Sequence, residues 1–490
     1  MRVLIFFLLL LNVAPCSAQS RFYKLYSGNG FDNGSDIVEL PDKSFLVGGS
    51  SGSWEQNAQG YLMKLDSLGS YIWSQAYGAQ ESEEIKRIFF RPGLGYYLAG
   101  MSNSWSNGNY DPMLIFTDLD GNQQWIKTYQ HPAWERIHDG VQTLDTGLVL
   151  VGQRQAAVGA ASDVLILRLD KNGDTLWTKT LGSEGPDCAN SIVRVSDTTY
   201  AVAGQWFVAD SNALKGFITL FTDNGQMLWF DTLGALSGEF SILDITMNLY
   251  GIQFGGYHLA SPTDYDKFSG SVALDGNILT QVAPLDLIVS DDIIQQLAYL
   301  PQQDLTILGI QVLNSNTFSE PFDLYFGYAD AFYGYWLTGW PSTTILNQGM
   351  DVIGNISPTQ DGGFVAVGTN SIIVDGQNQL NGGSNIFVIK IDADGSAYIQ
   401  TDTVFTTNQL VGIESLTHEL GLQIFPNPCA EKLNLAWNGV EPRDVKIIDI
   451  QGNTVYQKNQ SFDKIIDISS LASGMYFVSI DQTMLPLIKN

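Results

Sequence analysis

Val164-Leu165-Ile166-Leu167-Arg168-Leu169-Asp170-Lys171-Asn172-Gly173-Asp174-Thr175-Leu176-Trp177 reads as an apolar strand, a tight turn and a second strand that carries a tryptophan. Gly173 supplies the positive φ that a tight hairpin needs. The same grammar recurs along the chain. Trp73, Trp125, Trp177 and Trp229 stand 52 residues apart, and Gly69, Gly121, Gly173 and Gly225 keep the same step. Working outward in the same unit, Asp139 to Leu144 reads as a first strand. Leu148 to Val151 reads as a second strand, uniformly apolar and buried on both faces, that ends at Gly152.

Second strands are expected to end at Gly48, Gly100, Gly152, Gly204, Gly256, Gly309 and Gly368, which makes seven units. The fifth and sixth are degenerate, with Ala283 to Ser290 and Phe322 to Trp340 fitting loosely. A repeat of this length built from four short strands predicts an all-β chain whose main domain, residues 19–405, is a seven-bladed β-propeller. A single blade cannot bury both its faces, so the ring must close before any blade is stable. Arg21 to Ser27 aligns with the fourth strands and offers an outer strand to latch the last blade. That would leave Ala397 to Phe405 as an extra strand or the start of a linker.

Arg2, the apolar run Val3 to Leu11 and the small residues Cys16-Ser17-Ala18 predict a signal peptide over residues 1–18. Pro15 directly before Cys16 fits a lipoprotein signal poorly. No later stretch reaches the ~18 apolar residues of a membrane span. The remaining cysteines, Cys188 and Cys429, fall in different predicted domains, so stability must come from packing rather than disulfides. The formal charge of −27 argues against nucleic-acid partners, and 12% aromatic residues argue for a folded chain.

The strand ending in Gly, the apolar third strand and the Asp-x-x-Gly…Trp unit resemble the bacterial secreted β-propeller repeat family. That resemblance implies fold and not activity. Residues 406–420 read as a linker. After it, Leu422–Phe425, Lys432–Trp437, Val445–Asp449, Thr454–Lys458, Lys464–Ile468, Met475–Ile480 and Met484–Ile488 alternate as short strands, which suggests a small Ig-like β-sandwich over 421–490. Its local motifs contain Pro426, Asn427 and Pro428, then Gly452, then Gly474 and Tyr476, with Lys489 near the end. They resemble the C-terminal sorting domain of type IX secretion cargo. The resemblance implies that the type IX machinery is a partner in a Bacteroidota-type cell. It further implies passage through the periplasm to the surface or medium, with removal of the domain in the linker.

Chemistry is sparse in the sequence. His131, His138, His258 and His418 lack metal-ligand spacing, and no cofactor or metal site is expected. Gly48-Gly49-Ser50-Ser51-Gly52 matches a hydrolase elbow in letters but opens a loop between antiparallel strands. The Asp-x-x-Gly turns look like fragments of calcium loops without the distant glutamate, and also like ordinary hairpin turns. The seven propeller arginines all lie in its first half, which leaves a sialidase arrangement unsupported. First strands are expected to open with Asp36, Glu84, Asp139, Asn190, Asp292 and Asp351. These residues form a candidate channel ring that either binds a cation or basic ligand, or pins neighbouring turns through backbone N–H groups. Trp73, Trp125, Trp177 and Trp229 are expected to pack between blades. The reading is an exported scaffold that binds an extracellular glycan or protein. The alternative is a glycan-active hydrolase, or another propeller enzyme, with its site on one channel face.

Overall fold

The computed structural model describes residues 21–26, 28, 30–53, 57–105, 109–155, 157, 159–233, 238–261, 264–282, 291–313, 323–330, 350–371, 384–393, 423–425, 432–436, 443–449, 453–461, 464–472, 474–480 and 483–489. The chain divides into two compact units, residues 1–408 and 409–490. The Ala283–Ser290 segment, Ala397–Phe405, the predicted signal peptide, His418, Cys429 and the 426–428 and 452 motif positions lie outside the described residues.

The first unit contains seven antiparallel sheets among its described residues. Their first strands are Asp32–Glu39, Glu83–Arg91, Glu135–Gln142, Cys188–Arg194, Glu239–Met247, Asp291–Leu300 and Met350–Pro358. Each of these strands neighbours the first strands of the preceding and following sheets, and the seventh neighbours the first. The circuit is therefore closed, and the first unit is a β-propeller. Phe22–Tyr26 pairs antiparallel with Asn385–Ile391, so the outermost strand of the seventh sheet comes from the other end of the unit. Arg21 adds an ion pair to Asp392 at the end of that seam.

The core lies in layers between neighbouring sheets. Leu46 and Leu62 of the first sheet pack on Ile85, Leu98 and Ile115 of the second. Ala203, Ile218 and Leu220 of the fourth meet Ile242, Phe254 and Phe268 of the fifth. Side chains buried on both faces explain why Leu148 to Val151, the start of the second strand Leu148–Gln155, is an unbroken apolar run.

The structure corrects two strand boundaries. Second strands run beyond the glycines expected to end them: Phe45–Ser51 continues past Gly48, and Gly95–Ser102 past Gly100. First strands begin earlier than expected, with Glu135 rather than Asp139 opening the third. Both corrections have one cause. Every first strand carries a β-bulge, between Gly34 and Asp36, Ile85 and Arg87, Ile137 and Asp139, Ala189 and Ser191, Ile242 and Asp244, Ile294 and Gln296, and Ile353 and Asn355. The bulge pushes a carbonyl against the second strand. A Cβ on Gly100 would lie 1.9 Å from the Glu84 oxygen, and one on Gly152 1.9 Å from the Arg136 oxygen. The glycines mark bulges, not strand ends.

The tryptophans belong to a repeated joint between sheets. Gly121 has φ +82°, and a Cβ there would stand 2.8 Å from the Trp73 ring; at Gly173 the distance to Trp125 is 2.9 Å. Four residues after each of these rings a tyrosine donates to the same glycine's carbonyl, Tyr77 to Gly121 at 2.6 Å and Tyr129 to Gly173 at 2.7 Å. Phe22 and Tyr26 of the closing strand repeat the device on Gly69. Trp177 and Trp229 instead donate their indole N–H to the carbonyls of Asp223 and Leu274. All four indoles are half-buried rather than enclosed.

Among its described residues the second unit has two sheets, one of Gln423–Phe425, Lys432–Ala436 and Ile465–Asp467, the other of Arg443–Asp449, Thr454–Ser461, Gly474–Ile480 and Thr483–Lys489. Leu433, Leu435, Val445, Ile447, Ile466, Val478 and Leu487 form their shared core. Among the described residues no helix is long and apolar enough to cross a membrane.

Candidate functional site

The seven bulges each leave one residue without a partner in the register: Ser35, Lys86, His138, Asn190, Leu243, Gln295 and Gly354. Five of them line a cavity of about 210 Å³ to which all seven sheets contribute. The residues that follow them are Asp36, Arg87, Asp139, Ser191, Asp244, Gln296 and Asn355. They form the ring beneath.

From Asn355 through Asp36 to Asp244 the ring alternates donors and acceptors, while Gln296 Oε1 is buried without a hydrogen-bond partner among the described residues. Asp36 accepts from Asn355 Nδ2 at 2.5 Å and Arg87 Nη1 at 3.3 Å, and Asp139 accepts from Arg87 Nε at 2.5 Å. Ser191 Oγ lies 3.1 Å from Asp139 and 2.6 Å from Asp244. Each carboxylate also accepts a backbone N–H from the next sheet: Ile88 to Asp36 at 2.7 Å, Ile192 to Asp139 at 2.8 Å and Leu297 to Asp244 at 2.7 Å. These bonds tie the first sheet to the second, the third to the fourth and the fifth to the sixth.

Burial pushes the Asp36 carboxyl up, with Arg87 opposing, and pushes Asp244 up to about 6. For Arg87, burial works against the charge, but Asp139 and Asp36 outweigh it and raise the guanidinium further. At the cavity rim Lys86 pairs with Glu84 at 2.6 Å. Burial lowers His138 to about 4, so its ring is neutral at physiological pH. Its Nδ1 lies 3.0 Å from the Ala189 carbonyl, which assigns the proton to Nδ1. Cys188 Sγ sits 3.3 Å from that nitrogen, but burial pushes the thiol up to about 12 and the pair makes no thiolate nucleophile. Among the described residues no group of three metal-ligating side chains converges.

The residues singled out from sequence fall in several places. Asp36 and Asp139 sit in the ring. Glu84 stands at the rim, where it also accepts from Asn33 Nδ2 at 3.2 Å. Asn190 is a bulge residue whose amide donates to the Ile242 carbonyl at 2.7 Å. Asp292 lies four positions before Gln296 and pairs with Lys267. Asp351 lies four positions before Asn355, opposite Asn370. Arg87, Ser191, Asp244, Gln296 and Asn355 were missed, because the ring position changes residue type from sheet to sheet. A usable signal existed in the isoleucines three apart that bracket it, Ile85 and Ile88, Ile242 and Ile245, Ile353 and Ile356.

A second acidic register was also missed. Asp32, Glu83 and Glu135 open their strands buried, and Asp187, equally buried, stands immediately before the strand Cys188–Arg194. Asp32 accepts from Gly28 N at 2.8 Å, Glu83 from Ala79 N at 3.2 Å and Asp187 from Phe207 N at 2.7 Å, while Glu135 pairs with Arg154. In the Asp-x-x-Gly turns, Asp118 accepts from Asp120 N at 3.0 Å and Asn122 N at 2.8 Å, and Asp170 from Asn172 N and Asp174 N, both at 2.8 Å. These carboxylates close the turns they stand in.

Residues 423–489 match the family of secretion system C-terminal sorting domains. The chain is thus a β-propeller protein that carries a type IX C-terminal sorting domain, and this domain implies secretion and cell-surface attachment. No curated protein matches the chain. Similar solved structures include the β-propeller domain of the Trilobed protease from Pyrococcus furiosus, at 11% identity over 77% of this chain and 100% of that one, with a TM-score of 0.42. The Pan2 WD40 domain of Neurospora crassa is 10% identical over 75% and 95%, with a TM-score of 0.42. Sqt1 from Chaetomium thermophilum is 15% identical over 74% and 86%, with a TM-score of 0.39. At these identities the likeness is one of fold and goes no further.

Proposed function

We propose that this is a seven-bladed scaffold which, after removal of residues 1–18, is exported by the sorting domain, 421–490, and cleaved from it within 406–420. Its propeller binds an extracellular ligand at the channel mouth. The observation that carries the binding reading is the cavity itself, where Ser35, Lys86, His138 and Asn190 are brought together from four sheets by the same bulge. The cavity is small, about 210 Å³. The space suits one end group of a glycan or a protein chain rather than an extended segment. Asp36, Asp139 and Asp244 serve as the frame, since backbone N–H groups already occupy them.

A glycan and peptide array probed with the full chain, followed by affinity measurement, tests this reading. Lys86→Ala should weaken any hit at least tenfold. A hit bound equally well by the variant would place the ligand elsewhere, and turnover of the ligand would favour the hydrolase.

A further inference from the structure

Ser191 stands between two carboxyl groups, 3.1 Å from Asp139 Oδ2 and 2.6 Å from Asp244 Oδ1. A hydroxyl carries one hydrogen and can donate to only one of them. With both carboxyls ionised, one of the two close oxygen contacts would hold no proton, and lone pairs would face each other in a buried site. Arg87 engages Asp36 and Asp139. Asp244 has no ion-pair partner among the described residues, and its other contacts are the Leu297 and Ile245 N–H groups.

We propose that the channel ring holds one exchangeable proton on Asp244, which donates through Ser191 to Asp139, and that release of this proton makes the cavity floor more negative and weakens the contact between the fourth and fifth sheets. In the protonated state Asp244 Oδ1–H donates to Ser191 Oγ and the Ser191 hydrogen goes to Asp139. On release the hydroxyl serves one carboxylate only.

The charged groups that reach Asp244 are Arg87 from the second sheet and Asp139 from the third. The sixth sheet brings uncharged Gln296, and Lys215 within the fifth-sheet core layer is held over the Phe240 ring and on the Gly238 carbonyl. Burial dominates in raising Asp244 to about 6; the Ser191 bond opposes it and Asp139 adds to it. Because the folded value lies above the ordinary 3.8, the proton's stabilisation is complete below about 4 and is lost as the pH rises through about 6.

Thermal melting of the full-length wild type and Asp244→Asn between pH 5 and pH 8 tests the proposal. The variant is permanently neutral at this position, so the two should melt close together at the acid end. The variant should gain about 2–4 °C on the wild type towards pH 8. A gap that stays constant, or a variant that loses ground as pH rises, overturns the proposal. Aspartate carboxyl carbon resonances of the wild type read the proton directly, whether or not the variant folds. One should titrate near 6; if all titrate below about 5, the proposal fails.

Discussion

Replacing Arg87 with Met would remove the cation that two ring carboxylates share. Arg87 Nε donates to Asp139 at 2.5 Å and Nη1 to Asp36 at 3.3 Å, and the two carboxylate side chains are each only 3% exposed. Methionine keeps much of the arginine stem's bulk, so the loss is mainly electrostatic. Breaking a buried pair by removing one partner costs about 3–5 kcal/mol, because the charge left behind has no water to turn to. At pH 7.5 we expect about 4 kcal/mol, which is a fall of roughly 1 M in urea midpoint for a slope near 3 kcal/mol per molar or above. The half-buried tryptophans at the sheet joints give the fluorescence signal for such a titration. The penalty should shrink at pH 5. Without Arg87 the buried Asp36 carboxyl loses the main influence that opposes burial, and a carboxyl with a raised folded value regains stability as pH falls. A loss below about 1 kcal/mol would refute the view that this ring joins the sheets. An equal loss at both pH values would refute the electrostatic account of it.

Gly121→Ala should cost about 2–3 kcal/mol, since it forces a side chain both into φ +82° and to within 2.8 Å of the Trp73 ring. Gly93→Ala, at φ +72° with nothing within 4 Å of its Cβ, should cost about 1 kcal/mol. Equal melting temperatures for the two variants would mean that Trp73 does not brace the turn. Deleting residues 421–490 should leave the propeller folded but held in the periplasm. Cell fractionation and surface labelling check this, and normal display of the truncated protein would contradict it.

The repeat was legible because its landmarks are forced by backbone geometry. Only glycine is comfortable at the φ of Gly69, Gly121, Gly173 and Gly225, and it recurs there whatever the neighbours are. The ring was less legible. Its position must supply acceptor, donor, acceptor, donor around the channel, so the residue type alternates, Asp36, Arg87, Asp139, Ser191, Asp244, and a search for one kind of side chain cannot follow it. The bulge displaced the register further. A glycine in an apolar run looks like a strand end, yet Leu148–Gln155 runs past Gly152, and the third first strand opens at Glu135 rather than Asp139. Of the expected ring residues, Asn190 stands one position from the ring, Glu84 three, and Asp292 and Asp351 four.

The pairing of Phe22–Tyr26 with Asn385–Ile391 bears on how the molecule folds. Tyr26 meets Ile386 across a loop of roughly 360 residues, and closing so long a flexible chain costs on the order of 5 kcal/mol in entropy. Local hairpins can form as soon as their strands are made, but this seam has to wait for nearly the whole unit. Until then Asn385–Ile391 is an open edge and the first strand a loose segment of matching register, the combination that invites pairing between chains. Such long-range pairing is intrinsically slow. The seam makes a complete first unit a condition of the native state.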